Sequence, residues 1–310
     1  MAKVERVGMT VADLEQSVRF YTEVLSFKKT SETEVWGEDW EKLQGVFGLR
    51  MRVVQMQLGE ETISLMEYLT PEGRPIPRDS RSNDRTFQHI AIVVSDMDRA
   101  YEQLRQHKVR HSSTSPRQLP EWNKKLGGVK AFYFKDPDGH NLELIEFPPD
   151  KADEKWLQDR DELFLGIDHS AVVVKDAAAS FALYKDLLNF ELMLQAENYG
   201  TEYEHISCIF GARVQVNSMK PASGIGFELL EYISPTNGRD MPLDTGANDL
   251  WHYQTVIIVS DLASLEQQLR STPCSFISPG IIEMSANNLG YKKALSIKDI
   301  DGHVLHLVEK

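Results

Sequence analysis

One hydrophobic pattern occurs four times along the chain: Arg6-Val-Gly-Met-Thr-Val-Ala-Asp13, His89-Ile-Ala-Ile-Val-Val-Ser-Asp96, His169-Ser-Ala-Val-Val-Val-Lys-Asp176 and Gln254-Thr-Val-Ile-Ile-Val-Ser-Asp261. Each is an apolar run of strand length that ends on an aspartate, the residue type that caps a helix N-terminus. After the first copy, Leu14, Val18, Tyr21, Val24 and Leu25 recur at three-and-four spacing, which predicts one buried helical stripe. Three further strands follow, near Thr33–Trp36, Met51–Leu58 and Thr62–Tyr68. The predicted unit is strand, helix, then three strands. The second unit reads the same way, with strand Phe87–Val94, helix Met97–His107 and strands around Arg110–Ser113, Val129–Phe134 and Leu142–Phe147.

The last strand of that second unit carries the most informative polar position. Asp136-Pro137-Asp138-Gly139 is a tight-turn tetrapeptide, so Leu142–Phe147 is the return arm of a hairpin. Leu142 and Leu144 share one face, which puts Glu143 on the other by the period of two. The same grammar returns at Asp299-Ile300-Asp301-Gly302 before Val304-Leu-His306. Asp138, Phe47 and Asp13 recur as Asp301, Phe210 and Asp176, each 163 residues later. A constant offset of that length means duplicated domains. The expected division is residues 1–150, with modules 1–70 and 87–147, and residues 163–310, with modules 165–232 and 250–310.

Two loops repeat as well. Gly73-Arg74, Pro77, Asp79 and Asn83-Asp84 return as Gly238-Arg239, Pro242, Asp244 and Asn248-Asp249, predicting a shaped crossover whose Asp and Asn side chains satisfy backbone amides. Trp36-Gly37 with Trp40 returns as Tyr199-Gly200 with Tyr203, expected as an aromatic hairpin wall. Pro148 to about Glu162 is charged and is expected to be only a link between the halves.

Composition narrows the class of protein. The chain has 310 residues, 41% hydrophobic and 26% charged, as a globular protein does. No apolar run approaches the ~20 residues of a membrane span, and Met1-Ala-Lys-Val carries no signal-peptide core. The two cysteines have no metal spacing, and so few thiols point to a reducing, cytoplasmic setting. A net charge of −13 argues against nucleic acid or an anionic membrane as partner. A small molecule is the expected partner, with the oligomeric state open between monomer and homodimer.

The paired strand-helix-three-strand units, the helix Ser17-Val-Arg-Phe-Tyr-Thr-Glu-Val-Leu-Ser-Phe27 and Asp-Pro-Asp-Gly before Glu-Leu together resemble the vicinal oxygen chelate superfamily. That group includes glyoxalases, epimerases, extradiol dioxygenases and bleomycin-binding proteins. The resemblance covers essentially the full chain. It implies an α+β fold in which four βαβββ modules curl pairwise into two half-open mixed-sheet barrels around a divalent metal. It does not name the reaction.

Carried over by position, the family's first-strand ligand places fall here on Arg6, His89, His169 and Gln254, and its last-strand places on Ser64, Glu143, Glu228 and His306. Imidazoles and carboxylates suit one zinc, nickel, manganese, cobalt or iron(II) ion, whereas a permanently cationic Arg repels it. If unit two pairs with unit three, His89, Glu143, His169 and Glu228 form one site. If each half closes on itself, the set becomes His169, Glu228, Gln254 and His306. The first arrangement is favoured, because it needs no Gln and leaves the unfit residues together.

The resemblance then implies proton-transfer isomerisation or lyase chemistry on a substrate bound through adjacent oxygens, with Glu143 or Glu228 as base. Arg85 stands where glyoxalases often carry an anion-binding Arg and is the candidate for a substrate carboxylate. Thr10 and Val173 replace the Arg that grips glutathione, so glutathione conjugates are not expected. Two alternatives remain: an Fe(II) ring-cleaving dioxygenase, and a metal-free binding protein whose cleft is walled by Trp36, Trp40, Tyr199 and Tyr203.

Overall fold

A computed structural model of the chain describes residues 2–158, 161–285 and 289–310. The first unit comprises β1 (Lys3–Val11), α1 (Leu14–Glu23), β2 (Lys28–Trp36), α2 (Glu38–Gln44), β3 (Arg50–Leu58) and β4 (Glu61–Thr70). The second comprises β5 (Gln88–Val94), α3 (Met97–Gln106), the short β6 (Arg110–His111) and β7 (Arg117–Gln118), then β8 (Lys130–Lys135) and β9 (Asn141–Glu146). The third runs through β10 (Phe164–Val174), α4 (Ala177–Phe181), β11 (Glu191–Tyr199), α5 (Thr201–Ser207), β12 (Arg213–Lys220), β13 (Ser223–Gly224) and β14 (Gly226–Ser234). The fourth contains β15 (Tyr253–Ile258), α6 (Leu262–Leu269), β16 (Ser275–Phe276), β17 (Ile282–Glu283), β18 (Lys293–Lys298) and β19 (Val304–Glu309).

All four aspartates at the ends of the first strands act as caps. Asp13, Asp96, Asp176 and Asp261 accept from the backbone N–H groups of Gln16, Arg99, Ala179 and Ser264 at 2.9–3.1 Å, satisfying donors that a helix start leaves open. The expected aromatic hairpins are instead a strand, a glycine and a short helix. Gly37 (φ 100°) and Gly200 (φ 85°) turn the chain in left-handed conformation into α2 and α5, which points Trp40 and Tyr203 inward and leaves Trp36 and Tyr199 exposed.

The strands of this α+β fold form two mixed sheets, neither closed into a barrel, and each sheet takes one unit from each half of the sequence, apart from the short β13 of the third unit, which pairs with β1. The inner sheet has the order β11-β12-β14-β10-β5-β9-β8-β6, and the outer sheet β16-β18-β19-β15-β1-β4-β3-β2. Each is joined at its centre by an antiparallel pair of first strands, β5 with β10 and β1 with β15. Unit two therefore pairs with unit three, and unit one with unit four. The sequence repeats 1–150 and 163–310 do not coincide with the sheets.

Period-two alternation divides each sheet's faces. Ile90, Ile92, Val94, Leu142 and Leu144 enter one core shared by the helices and both sheets. Ala91, Val93, Ile145 and Leu230 lie on the opposite face with a second apolar cluster, and Glu143 shares that face. The repeated turns lock the units together. Asp136 accepts from Gly139 and His140 N–H, both at 2.9 Å, and from Tyr21 of the first unit at 3.2 Å. His140 Nε2 is 2.7 Å from the Leu250 carbonyl of the fourth unit. In the other half, Tyr184 donates to Asp299 at 2.8 Å.

The repeated loops clasp each other. Arg74 donates to Asp249 and Asp244 at 2.7–2.9 Å, and Arg239 donates to Asp84 and Asp79 at 2.6–3.1 Å. A Cβ on Gly73 or Gly238 would stand 1.8 or 1.7 Å from the carbonyl oxygen of Asn248 or Asn83, so the crossing strands of chain require glycine there. Arg239→Ala leaves the buried Asp84 carboxylate with backbone donors and the more distant Arg81 guanidinium at 3.6 Å, and is expected to lower the unfolding free energy by about 1–3 kcal/mol. Urea unfolding measures this; an unchanged midpoint would show the clasp to be energetically idle.

Candidate metal centre

The register of the inner sheet assembles a four-residue cluster around two alanines. Ala171 of β10 is opposite His89 of β5 and beside Glu228 of β14. Ala91 of β5 is opposite His169 of β10 and beside Glu143 of β9. Paired residues point to the same side of a sheet, so all four functional side chains rise from one face with two methyl groups between them. Alanine at these places leaves that space open. His89, Glu143 and His169 are brought together such that one ligand atom of each lies within 4.8 Å of the others.

The close distances are His89 Nε2 to Glu143 Oε2 at 3.0 Å, His169 Nε2 to Glu228 Oε2 at 3.4 Å and His169 Nε2 to Glu143 Oε2 at 3.7 Å. The His89 and His169 ring centroids are 5.7 Å apart. Both His89 ring nitrogens are buried without a hydrogen-bond partner, the Glu143 contact being too far off axis to serve as one. Buried polar atoms are rarely left so. An orphaned imidazole facing two carboxylates and a second imidazole is the donor set of a borderline divalent cation, and the residues present therefore fit one.

A residue that sequence reasoning passed over completes the cluster. Asp168 Oδ2 is 2.9 Å from His169 Nδ1, and Oδ1 accepts from the Trp156 indole at 3.1 Å. This fixes the ring so that Nε2 faces the glutamates, a role that carboxylates commonly take behind metal-binding histidines. A register shift in β10 between Ile167 and His169 accommodates the adjacent Asp168. The signal was present in the repeat. Glu5 and Arg6 stand 163 residues before Asp168 and His169, β1 has the same irregularity between Val4 and Arg6, and Glu5 pairs with Arg6 at 2.5 Å.

The electrostatics favour positive charge here. Burial alone would push the His169 imidazole down, but Glu228, Asp168 and Glu143 outweigh it and carry its pKa up to about 10. Burial pushes the Glu228 carboxyl up, with His169 opposing and Glu143 and Asp168 adding to the rise. A proton and a divalent cation compete for the same nitrogen, so loading should weaken as pH falls. Asp168→Ala is expected to weaken metal retention about 10–100-fold. Titration with a competing chelator reads this out, and wild-type affinity would remove Asp168 from the site.

The four residues lie at a cavity of about 440 Å³, whose walls include Tyr133, Tyr203, Leu119 and Phe147. Its roof is partly the segment expected to be a mere link, with Lys151, Asp153 and Lys155 lining it. Trp122 of the loop before β8 packs on Tyr199 at 4.2 Å between centroids, and Asn123 donates to Asn198 at 2.7 Å, so this loop spans the cleft from unit two to unit three.

Arg85 is placed elsewhere. Its Nε is 3.0 Å from Asp240 and 3.5 Å from Asp301, its Nη1 donates to the Gly238 carbonyl at 3.0 Å, and it lines a different cavity. The loop crossover draws its guanidinium to the outer sheet's turn, which the residue interval to His89 could not reveal. The set His169, Glu228, Gln254 and His306 is likewise divided between the sheets.

The equivalent outer place holds Arg6, Ser64, Gln254 and His306 around Gly8 and Val256. There Arg6 donates to the Tyr291 hydroxyl, and Gln254 Oε1 accepts from Gln44 at 3.2 Å. Burial, His252 and Arg6 together depress the His306 pKa to about 3. A fixed cation beside a lone imidazole, a glutamine and a serine leaves this place a poor donor set for a divalent ion. Trp36 and Trp40 also belong to this outer half, with Trp40 packed near Tyr291 at 6.4 Å, so the expected four-residue aromatic wall is not assembled.

Two paired mixed sheets and a two-His, two-Glu cluster at their inner junction define a class. The chain belongs to the glyoxalase/bleomycin resistance protein/dioxygenase superfamily, whose model matches residues 3–144. It is 34% identical over 151 residues to a 2-epi-5-epi-valiolone epimerase of Actinomyces sp, covering 47% of this chain and 79% of that protein. It is 29% identical over 146 residues to the uncharacterized protein YaeR of Escherichia coli (strain K12), covering 47% of this chain and 97% of the relative. Among solved structures, glyoxalase I from Zea mays matches with a TM-score of 0.65 and 16% identity, over 100% of this chain and 92% of that one. At that identity the likeness is one of fold. No helix among the described residues is long and apolar enough to cross a membrane.

Proposed function

We propose that this chain is a divalent-metal-dependent isomerase or lyase of the glyoxalase–epimerase kind, moving a proton on a carbon next to a carbonyl. The observation that carries this reading is the convergence of His89, Glu143 and His169 from three adjacent strands, with an unpartnered imidazole among them. The similarity to an epimerase supports it. His89, Glu143, His169 and Glu228 would hold the ion. When bound, the ion supplies Lewis-acid polarisation of a carbonyl oxygen and offsets the negative charge that develops there.

The chain's own groups do the rest. Glu228 stands outside the tight three-residue group yet 3.4 Å from His169, so its carboxylate is the one placed to take up and return a proton. Burial pushes Glu228 upward, toward the range a proton shuttle needs. Tyr133 and Tyr203 line the same space, and burial, with Tyr203 and Glu143 acting on Tyr133 and Glu143 on Tyr203, holds both hydroxyls protonated. Tyr133 donates its hydroxyl to Tyr203, so the Tyr203 O–H is the donor left to face a substrate oxygen. The fitted cavity volume suits a small molecule.

The test is proton exchange in deuterium oxide, followed by nuclear magnetic resonance. Protein loaded in turn with zinc, nickel, manganese, cobalt or iron(II) is mixed with 2-epi-5-epi-valiolone and with simple α-hydroxy ketones. Label should enter at the carbon beside the carbonyl, at a rate that stops on chelation. Exchange with none of the five ions would reject the reading.

A further inference from the structure

The cavity above the cluster has a cationic rim that the proton-transfer chemistry does not use. Lys125, Lys151, Lys155 and Lys220 all line it, in a chain whose net charge is −13. They arrive from separate places: Lys125 from the loop before β8, Lys151 and Lys155 from the segment joining the halves, and Lys220 from the end of β12. Convergence of cations from three segments distant in sequence is not the result of one basic stretch folding back.

Their pairing separates them. Lys155 is held by Glu61 at 3.0 Å and lies 4.0 Å from the Trp156 ring centroid, so its charge is answered. Lys125 donates to the Gln195 carbonyl at 2.6 Å, and Lys151 donates to the Gly127 carbonyl. Carbonyls orient an ammonium without cancelling its charge. Among the described residues, Lys125, Lys151 and Lys220 enter no ion pair. Of the carboxylates of the same cavity, Glu143 and Glu228 belong to the cation centre and Asp168 orients His169; Asp153 accepts from the Lys155 backbone N–H at 3.1 Å and keeps its charge, one negative group against the three unpaired lysines.

The plain alternative is a solubilising lysine fringe. Lys125 and Lys220 are exposed, but Lys151 is half-buried, and the same cavity is lined by apolar Leu119, Leu126 and Phe147. At Lys151, uncancelled charge beside apolar wall strengthens attraction for an anion, because water screens it less there than at the exposed Lys125 and Lys220.

We propose that the substrate carries an oxyanion, phosphate or carboxylate, apart from its chelating oxygens, and that Lys125, Lys151 and Lys220 bind that group. The substrate class is therefore an anionic hydroxy-carbonyl compound: its adjacent oxygens at the floor, its charge at the rim. This deepens the function proposed above and rests on that reading of the floor.

Dihydroxyacetone phosphate and dihydroxyacetone share the same hydroxy-ketone and differ in the phosphate, so their ratio of affinities isolates the rim. By calorimetry on cation-loaded protein, the phosphate ester should bind at least about tenfold tighter, with the advantage shrinking as salt rises. Lys220→Met and Lys151→Met should each reduce the ratio, and the double variant should reduce it further, to the remainder that Lys125 supplies. Equal binding by wild type, or an unchanged ratio in the double variant, overturns the proposal. Inorganic phosphate titrated into cation-free protein reads the rim alone. Phosphate binding that the double variant weakens, in a protein that retains no cation, would leave the rim standing and reject the floor; cation retention without any phosphate response would do the opposite. Glycerol 3-phosphate and glycerate, each compared with glycerol, then assign the oxyanion, and a response to neither counts against it.

Discussion

His89→Ala and His169→Ala should each weaken retention of a divalent cation by at least ~100-fold, whereas Gln254→Ala and His306→Ala should leave it at the wild-type level. The asymmetry follows from the sheet pairing. His89 and His169 face each other across the β5–β10 junction, with Glu143 and Glu228 on the flanking strands. Removing either imidazole leaves one nitrogen donor and an incomplete set. Gln254 and His306 lie in the other sheet, beside the guanidinium of Arg6, which is permanently charged. Equilibrium dialysis against zinc or nickel with elemental analysis decides the matter. Loss of the ion in the Gln254 and His306 variants, with retention in the His89 variant, would place it in the outer sheet and dismantle the proposed centre.

Glu228→Gln should keep the ion yet lower the rate of proton exchange by about 10²–10⁴. The amide preserves shape and one oxygen donor but cannot take up a proton. Glu143→Gln should act differently, because Glu143 Oε2 is 3.0 Å from His89 and within the tight ligand group. Its principal effect should be on retention of the ion. The two variants thus separate the role of holding from that of proton transfer. Comparable exchange rates in Glu228→Gln and wild type would assign the base elsewhere, with Glu143 next to be tested.

Much of this was legible in the sequence, for a physical reason in each case. Strand-Asp-helix signals gave the four first strands and their caps, because a period-two apolar run and a capping side chain are local properties. Glu143 stood out because its neighbours Leu142 and Leu144 fixed the buried face. The pairing of unit two with unit three was favoured by chemistry alone, since an Arg and a Gln cannot share a metal site with the same ease as His and Glu. Register supplied what that argument lacked: Ala91 and Ala171 as the floor between the ligands.

Other features depended on long-range contacts. Arg85 went to Asp240 and Asp301 because two loops from different halves interlock, and no local spacing encodes that meeting. The joining segment became a cavity wall because Trp156 reaches Asp168, a contact of two residues 12 apart across a bend. Trp36-Gly37 and Tyr199-Gly200 looked like hairpins because aromatic residues favour strands, but left-handed glycines followed by acidic residues start α2 and α5 instead. Asp168 escaped notice because a regular strand would turn it away from His169.

Anomalous diffraction at the absorption edge of the loaded metal, from crystals of the full chain, tests the central claim most directly. One peak is expected on the ligand-bearing face of the inner sheet, about 2.0–2.2 Å from a nitrogen of His89 and of His169, with Glu143 and Glu228 oxygens beside it. A peak at Gln254 and His306 in the outer sheet, or no peak at either junction, would contradict it.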